Sequence, residues 1–194
     1  MNIVIAGAGT FGREVLTWFS GNSNNNCKHR IRGFIDNVIE NKIIIENNYP
    51  ATPFLGTLDS YTPDIDDKLI VALLDIEVRK KYIISLRNKG AKFYSYVHSS
   101  VIIGSNVTIG EGCIINPNCI LANDSVIGDF VTINTGSTVG HDTVVGNFTS
   151  INPNVSIMGN VHLGNECTIG VGSILINQIS IGNNVTVGAG SVVI

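Results

Sequence analysis

From Val97 onward an aliphatic residue recurs at every sixth position without a break, through Ile103, Ile109, Ile115 and Leu121 to Leu175, Ile181, Val187 and Val193. Four places after each comes a small or β-branched residue, as at Val101, Cys113, Ser125, Ser137, Thr143, Thr149 and Cys167. The place just after the aliphatic one is often glycine, as at Gly104, Gly128, Gly140 and Gly164. No residue is inserted or lost across sixteen hexads, a register that neither chance nor a plain amphipathic strand would hold. The pattern predicts a solenoid of short strands. Aliphatic and small side chains point inward, and each hexad turns at its third and fourth positions. Asn, Asp and Gly, frequent there, tolerate the left-handed backbone of such turns.

The first half is patterned differently. Asn2–Ala6 is an apolar run that predicts a strand, followed by Gly7-Ala8-Gly9-Thr10-Phe11-Gly12 and a helix through Arg13, Val15, Leu16 and Phe19. A polar loop leads to a strand Ile31–Ile35 ending in Asp36. Leu69–Leu74 reads as a second buried strand, Ile76–Arg87 as a helix with Val78, Tyr82, Ile83 and Leu86 at helical spacing, and Lys92–Tyr96 as a strand. This predicts a small α/β domain with a mostly parallel sheet. A GxGxxG loop between strand and helix suits a phosphate at the helix N-terminus, and Asp36, at the end of the next strand, is placed for a ribose or base. A dinucleotide needs two such halves, and about 95 residues hold little more than one. A tight βα turn without a ligand is the plainer alternative.

Charge divides the chain at the same place. All twelve Lys and Arg lie between Arg13 and Lys92, and the stretch from Val97 to Ile194 holds none against five acids. The organisation predicted is an α/β domain over 1–96 and a solenoid over 97–194. The net charge of −3 argues against nucleic acid as a partner. No apolar run is long enough for a transmembrane helix. The N-terminus reads as a first strand, not a signal peptide, which predicts a cytoplasmic protein with reduced cysteines. Cys27, Cys113, Cys119 and Cys167 form no CxxC pair, and the last three read as small buried hydrophobes.

Four histidines remain. His29 lies in a polar loop, His98 near the change of pattern, and His162 at an outward position. His141 occupies a turn, from which its side chain projects away from the core. Imidazole suits base work near neutrality; a turn histidine without function would simply be solvated. With coils of eighteen residues, His141 lies over Asn123 and below Gly159, and Asp142 lies over Asp124. Gly159 then leaves an open shelf beside the imidazole, where its N–H would face a developing oxyanion. Either Asp142 or Asp124 could hold the imidazole tautomer. Metal ligation is not expected, since no close histidine pair occurs.

The repeat resembles the hexapeptide, left-handed parallel β-helix family, whose members are usually trimers and mostly acyltransferases. The GAGxFGRE loop, the FIDN strand end and the NTGSTVGHD segment together resemble the NeuD/PglD family of bacterial sugar acetyltransferases, over essentially the whole chain. That resemblance implies acetyl-CoA as co-substrate, no metal, and a nucleotide-linked 4-amino-4,6-dideoxy sugar, UDP- or dTDP-linked, as acceptor for surface polysaccharide or glycan synthesis. O-acetylation of a sialic acid-type sugar is the alternative. It implies a homotrimer with acetyl-CoA in the groove between two β-helices. His141 would be the base and Asp142 its acidic partner, with Asn134 in the same pocket. Gly159 and Val171 would lie along the pantetheine arm, and Gly7, Gly9, Thr10, Phe11 and Asp36 would hold the nucleotide. Asp75 and Arg79 are possible further contacts, although Arg79 also reads as a solvated helix charge. Phe11 stands where the family often has histidine. Relatives run on past the point where this sequence stops, so a further C-terminal segment is expected, and the CoA phosphates must find their cations outside 97–194.

Overall fold

The structure, a computed structural model, describes residues 1–21 and 29–194, so Cys27 and most of the polar loop lie outside the described residues. Two compact units form, Met1–Tyr94 and Ser95–Ile194.

The first unit runs β1 (Asn2–Ala6), α1 (Thr10–Gly21), β2 (Arg30–Ile35), α2 (Ile39–Asn48), β3 (Phe54–Gly56), β4 (Asp67–Val71), α3 (Ile76–Asn88) and β5 (Lys92–Phe93). Its strands pair in parallel in the order β3-β2-β1-β4-β5. Ile3, Val4, Ile5 and Ala6 of the central β1 are fully buried. A parallel strand covered on both faces requires such a continuous apolar run. The chain builds outward from β1 through β2 to β3, then returns to add β4 on the other side. The order therefore reverses between β1 and β4, where a crevice opens at the carboxyl ends of the strands. The α3 helix starts where expected because Asp75 caps it, accepting from the Val78 N–H at 2.9 Å. At the opposite end of the sheet Asp67, buried at the start of β4, accepts from the Tyr61 hydroxyl at 2.6 Å and the Asp64 N–H at 3.0 Å and pairs with Arg32.

The second unit is a β-helix. Seventeen two-residue strands, from β6 (Tyr96–Val97) to β22 (Val192–Val193), form three parallel sheets. Each strand pairs with those eighteen residues away, as Thr138 and Val139 do with Ser156 and Ile157 on one side and with Ile120 and Leu121 on the other. The aliphatic column from Ile115 to Leu175 is almost wholly buried and forms one core with Cys113, Cys119, Val131, Val155, Val161 and Cys167. The third and fourth positions are the turns, and every fourth-position residue from Asn106 to Gly190 has φ between 55° and 72°. Even Phe130 and Phe148 adopt this conformation, their rings stacked 5.3 Å apart.

The inner corners are polar as well as small. Ser137, Thr143, Thr149 and Ser173 each donate a hydroxyl hydrogen bond of 2.8–2.9 Å to the carbonyl fifteen residues on. Cys113, Cys119 and Cys167 donate their thiols in the same way, at 3.0–3.1 Å. The cysteines are buried as expected, but they stand in for Ser and Thr as donors and are not merely hydrophobes.

Candidate active site

The glycine loop leaves β1 at Gly7 and enters α1 at Thr10. A Cβ on Gly12 would lie 1.9 Å from the Gly7 carbonyl oxygen, so helix and loop pack only with glycine there. Gly9 differs: a Cβ there would meet nothing nearer than the Asn41 amide nitrogen at 3.9 Å. Gly9 faces the crevice, a cleft of about 320 Å³ lined by Gly9, Thr10, Phe11, Asp36, Val38, Asn41, Ala72–Leu74, Val78 and Tyr82. Gly9, Thr10, Phe11 and Asp36 thus meet in one cleft.

Asp36 is not a free carboxylate at the rim. It is 3% exposed. Its Oδ2 accepts from the Ala8 N–H at 2.7 Å and from Asn41 at 2.8 Å, and its Oδ1 accepts from the Val38 N–H at 2.9 Å. Its first task is to fasten the glycine loop to the start of α2, and burial without those donors would be costly. Asn41 was not anticipated, because α2 itself was not. Tyr82 closes the cleft with its hydroxyl accepting from the Asn37 N–H at 3.1 Å. Burial pushes that phenol above its ordinary pKa, so it stays neutral and keeps a proton to donate. Asp75, exposed, caps α3 through Oδ1, and Arg79 is 1% exposed with its guanidinium donating to the Leu73 carbonyl, so it is no solvated charge.

In the second unit His141 and Asp142 form the turn after Thr138–Val139. The left-handed backbone at Asp142 (φ 55°) lets its side chain swing back, and Oδ2 lies 2.8 Å from His141 Nδ1. Asp124, the other candidate partner, instead accepts from the Asn106 amide at 2.9 Å. A carboxylate at Nδ1 fixes the proton there and leaves the Nε2 lone pair as the acceptor. The pair is open, with side-chain exposures of 61% and 55%. The imidazole lies on Gly159, where a Cβ would fall 2.4 Å from Nε2. The shelf foreseen at Gly159 is therefore occupied by the ring itself, and glycine is needed to seat the imidazole.

At another corner of the coil successive turns are capped by side chains. Asp129, Asn147, Asn165 and Asn183 accept from the N–H groups of Glu111, Asp129, Asn147 and Asn165, each at 2.8 Å. In the column of Ser105, Asn123, His141 and Gly159 the same bond joins only Ser105 to Asn123. Among the described residues, the N–H groups of Asn123, His141 and Gly159 have no acceptor.

Asn134 and Val171 lie elsewhere on the coil. Asn134 follows Thr132–Ile133 and is buried, its Oδ1 accepting from Asn116 at 2.8 Å. Val171 follows Thr168–Ile169 and is exposed. Both belong to the corner on the other side of the sheet that carries Thr138–Val139, so a single chain does not bring them to His141. His162 is exposed on its strand, as expected. Among the described residues no three His, Cys, Asp or Glu side chains are grouped as a metal set, and no helix is long and apolar enough to cross a membrane.

Comparison with known proteins agrees with this architecture. Residues 106–141 and 142–177 match the family model described as bacterial transferase hexapeptide (six repeats). No curated protein matches the chain by sequence. Among solved structures, WeeI from Acinetobacter baumannii AYE is 27% identical with a TM-score of 0.85, covering 100% of this chain and 92% of that one. The acetyltransferase domain of PglB from Neisseria gonorrhoeae FA1090, in complex with acetyl coenzyme A, is 26% identical with a TM-score of 0.83, covering 100% and 90%. PerB from Caulobacter crescentus, in complex with CoA and GDP-perosamine, is 26% identical with a TM-score of 0.83, covering 100% and 89%. Residues 106–177 of the second unit thus carry the hexapeptide repeats of bacterial transferases, and the chain as a whole shares its architecture with solved acetyltransferases, one of them a perosamine N-acetyltransferase from Caulobacter crescentus, an architecture consistent with the NeuD/PglD-like nucleotide amino-sugar acetyltransferases.

Proposed function

We propose that the chain transfers the acetyl group of acetyl-CoA to the 4-amino group of a nucleotide-linked 4-amino-4,6-dideoxy sugar. The observation that carries this reading is the exposed imidazole, held at Nδ1 by Asp142 and resting on Gly159 beside an N–H with no acceptor. The sugar amine attacks the thioester carbonyl and a C–N bond forms. His141 Nε2 takes the amine proton, the C–S bond breaks, and the proton passes on to the departing CoA thiolate. While the carbonyl is tetrahedral, the Gly159 N–H donates to its oxygen. No nucleophilic side chain is required, since a neutral amine is nucleophile enough. In the first unit the diphosphate meets the loop at Gly7, Gly9 and Thr10 and the start of α1, beside Phe11. Asp36 acts by holding that loop.

Asn134 and Val171 enter the site from a neighbouring copy. Their corner differs from that of His141, so a groove between two β-helices would bring them together, and a homotrimer closes three such grooves. The cations for the CoA phosphates come from outside 97–194, which has none. With the acceptor made from nucleotide-activated sugar for surface glycans, the enzyme works in the cytoplasm.

The test is thiol release from acetyl-CoA with a panel of UDP-, dTDP- and GDP-linked 4-amino sugars, with CMP-sialic acid and free sialic acid beside them. Release with one amino sugar is expected. Release only with the sialic acids would move the activity to a hydroxyl acceptor, and silence throughout would refute the transferase reading.

A further inference from the structure

The Gly159 N–H is useful to a thioester only if it points out of the core, and nothing on Gly159 itself can ensure that. A trans peptide directs its C=O and N–H in opposite senses, and among the described residues no peptide bond is cis. The direction of the Gly159 N–H is therefore set by the carbonyl of Met158, which belongs to the same peptide. That carbonyl accepts from the Thr143 hydroxyl at 2.9 Å. Thr143 is fully buried, and its hydroxyl oxygen in turn accepts from the Val161 N–H at 3.3 Å. With the carbonyl drawn inward to Thr143, the N–H is turned outward. On the far side of Gly159, the Asn160 N–H donates to the His141 carbonyl at 2.8 Å. The turn beneath the imidazole is thus clamped from both ends by residues of the coil that carries the base.

We infer that Thr143 is a positioning residue for the transfer step: its hydroxyl fixes the Met158–Gly159 peptide so that the Gly159 N–H faces the thioester oxygen. This rests on the transferase reading above. The same hydroxyl-to-carbonyl bond occurs at corners with no catalytic group, so a bond of this type is not by itself catalytic. Thr149 donates to the Gly164 carbonyl at 2.9 Å and accepts from the Cys167 N–H at 3.1 Å. There, however, the next N–H outward, that of Asn165, is already taken by the Asn183 side chain at 2.8 Å. At Gly159 no side chain takes it, and Asn177, eighteen residues on, makes no such bond among the described residues. One device serves packing at Thr149 and presents a free donor at Thr143.

That contrast supplies the experiment. Thr143→Val and Thr149→Val remove equivalent buried bonds while keeping side-chain shape, so both should lower the melting temperature by similar amounts. Thr143→Val should also lower kcat about tenfold with the KM for acetyl-CoA little changed, less than the roughly 10²- to 10³-fold lost when an oxyanion donor is deleted outright. Thr149→Val should keep wild-type kcat. Thr143→Ser and Thr143→Cys use donors that other corners of this coil already accommodate, so they test the role of the hydroxyl even if valine disturbs folding. Serine should restore kcat, and the weaker thiol donor should fall between serine and valine. Equal kcat in the two valine variants, or no order among serine, cysteine and valine, would overturn the inference while leaving the transferase reading in place. Absence of turnover in the wild-type protein across the acceptor panel would remove both.

Discussion

His141 is held by two neighbours of opposite character. Asp142 fixes the proton on Nδ1 through a 2.8 Å contact, and Gly159 provides a seat by having no side chain. Replacing His141 by alanine should cost about 10²- to 10⁴-fold in kcat, the usual range for losing a general base, with the melting temperature unchanged. Circular dichroism and steady-state kinetics on the same sample check both halves, and a rate near wild type would remove His141 from the mechanism. Gly159→Ala tests the seat. The new methyl would fall 2.4 Å from Nε2, so the ring must swing off its position. Turnover should drop while the nucleotide-sugar KM, set in the other unit, stays put. An alanine variant as active as wild type would show that the imidazole works from another rotamer. The partner acid illustrates what sequence alone leaves open. Stacking by eighteen residues places Asp142 over Asp124 as equals, and only the left-handed backbone at Asp142, together with the bond from Asn106 to Asp124, separates them.

At the scale of elements, legibility followed periodicity. The β-helix was readable strand by strand because each hexad repeats one local solution. β1 was readable because a central parallel strand must be apolar throughout. What escaped was α2. Its sequence, IENKIIIENN, gathers three isoleucines in a row instead of spacing them along one face, and only Ile45 is buried. Missing α2 hid Asn41 and with it the real surroundings of Asp36. A carboxylate at the end of β2 looks from sequence like a ligand for ribose, and only the folded unit shows that three donors of the chain also hold it. Thr143 was hidden for the opposite reason, since it looks like every other inner corner. Asp36→Ala should therefore do two things at once. It should destabilise the first unit by about 2–3 kcal/mol, the scale of losing charge-assisted buried hydrogen bonds. It should also raise the KM for the nucleotide sugar more than that for acetyl-CoA, because the loop it fastens is loosened. A raised sugar KM with undiminished stability would return Asp36 to the role of direct ligand.

For the molecule as a whole, the division of charge becomes a division of stability. Unit 95–194 rests on an aliphatic core, neutral donors at its inner corners and no cation. Unit 1–94 carries an ionised cluster around Asp67. Burial by itself would push that carboxyl up, but the Tyr61 hydroxyl, the Asp64 N–H and the Arg32 guanidinium together outweigh burial and hold it below the ordinary carboxylate range. A carboxyl whose pKa is lower in the folded than in the unfolded chain stabilises fully above its unfolded value, about 3.9. That contribution is lost as pH falls through the folded value, because the unfolded chain then binds the additional proton. Acid should therefore open the two units in turn. Among the described residues the three helices all belong to the first, so the helical far-ultraviolet signal should fall at a higher pH than the β signal of the coils. Asp67→Asn should lower the stability of the first unit at neutral pH and flatten its dependence on acid. Coincident loss of both signals in the wild-type protein would mean that the units unfold as one, and an unchanged acid midpoint in the asparagine variant would take Asp67 out of the account.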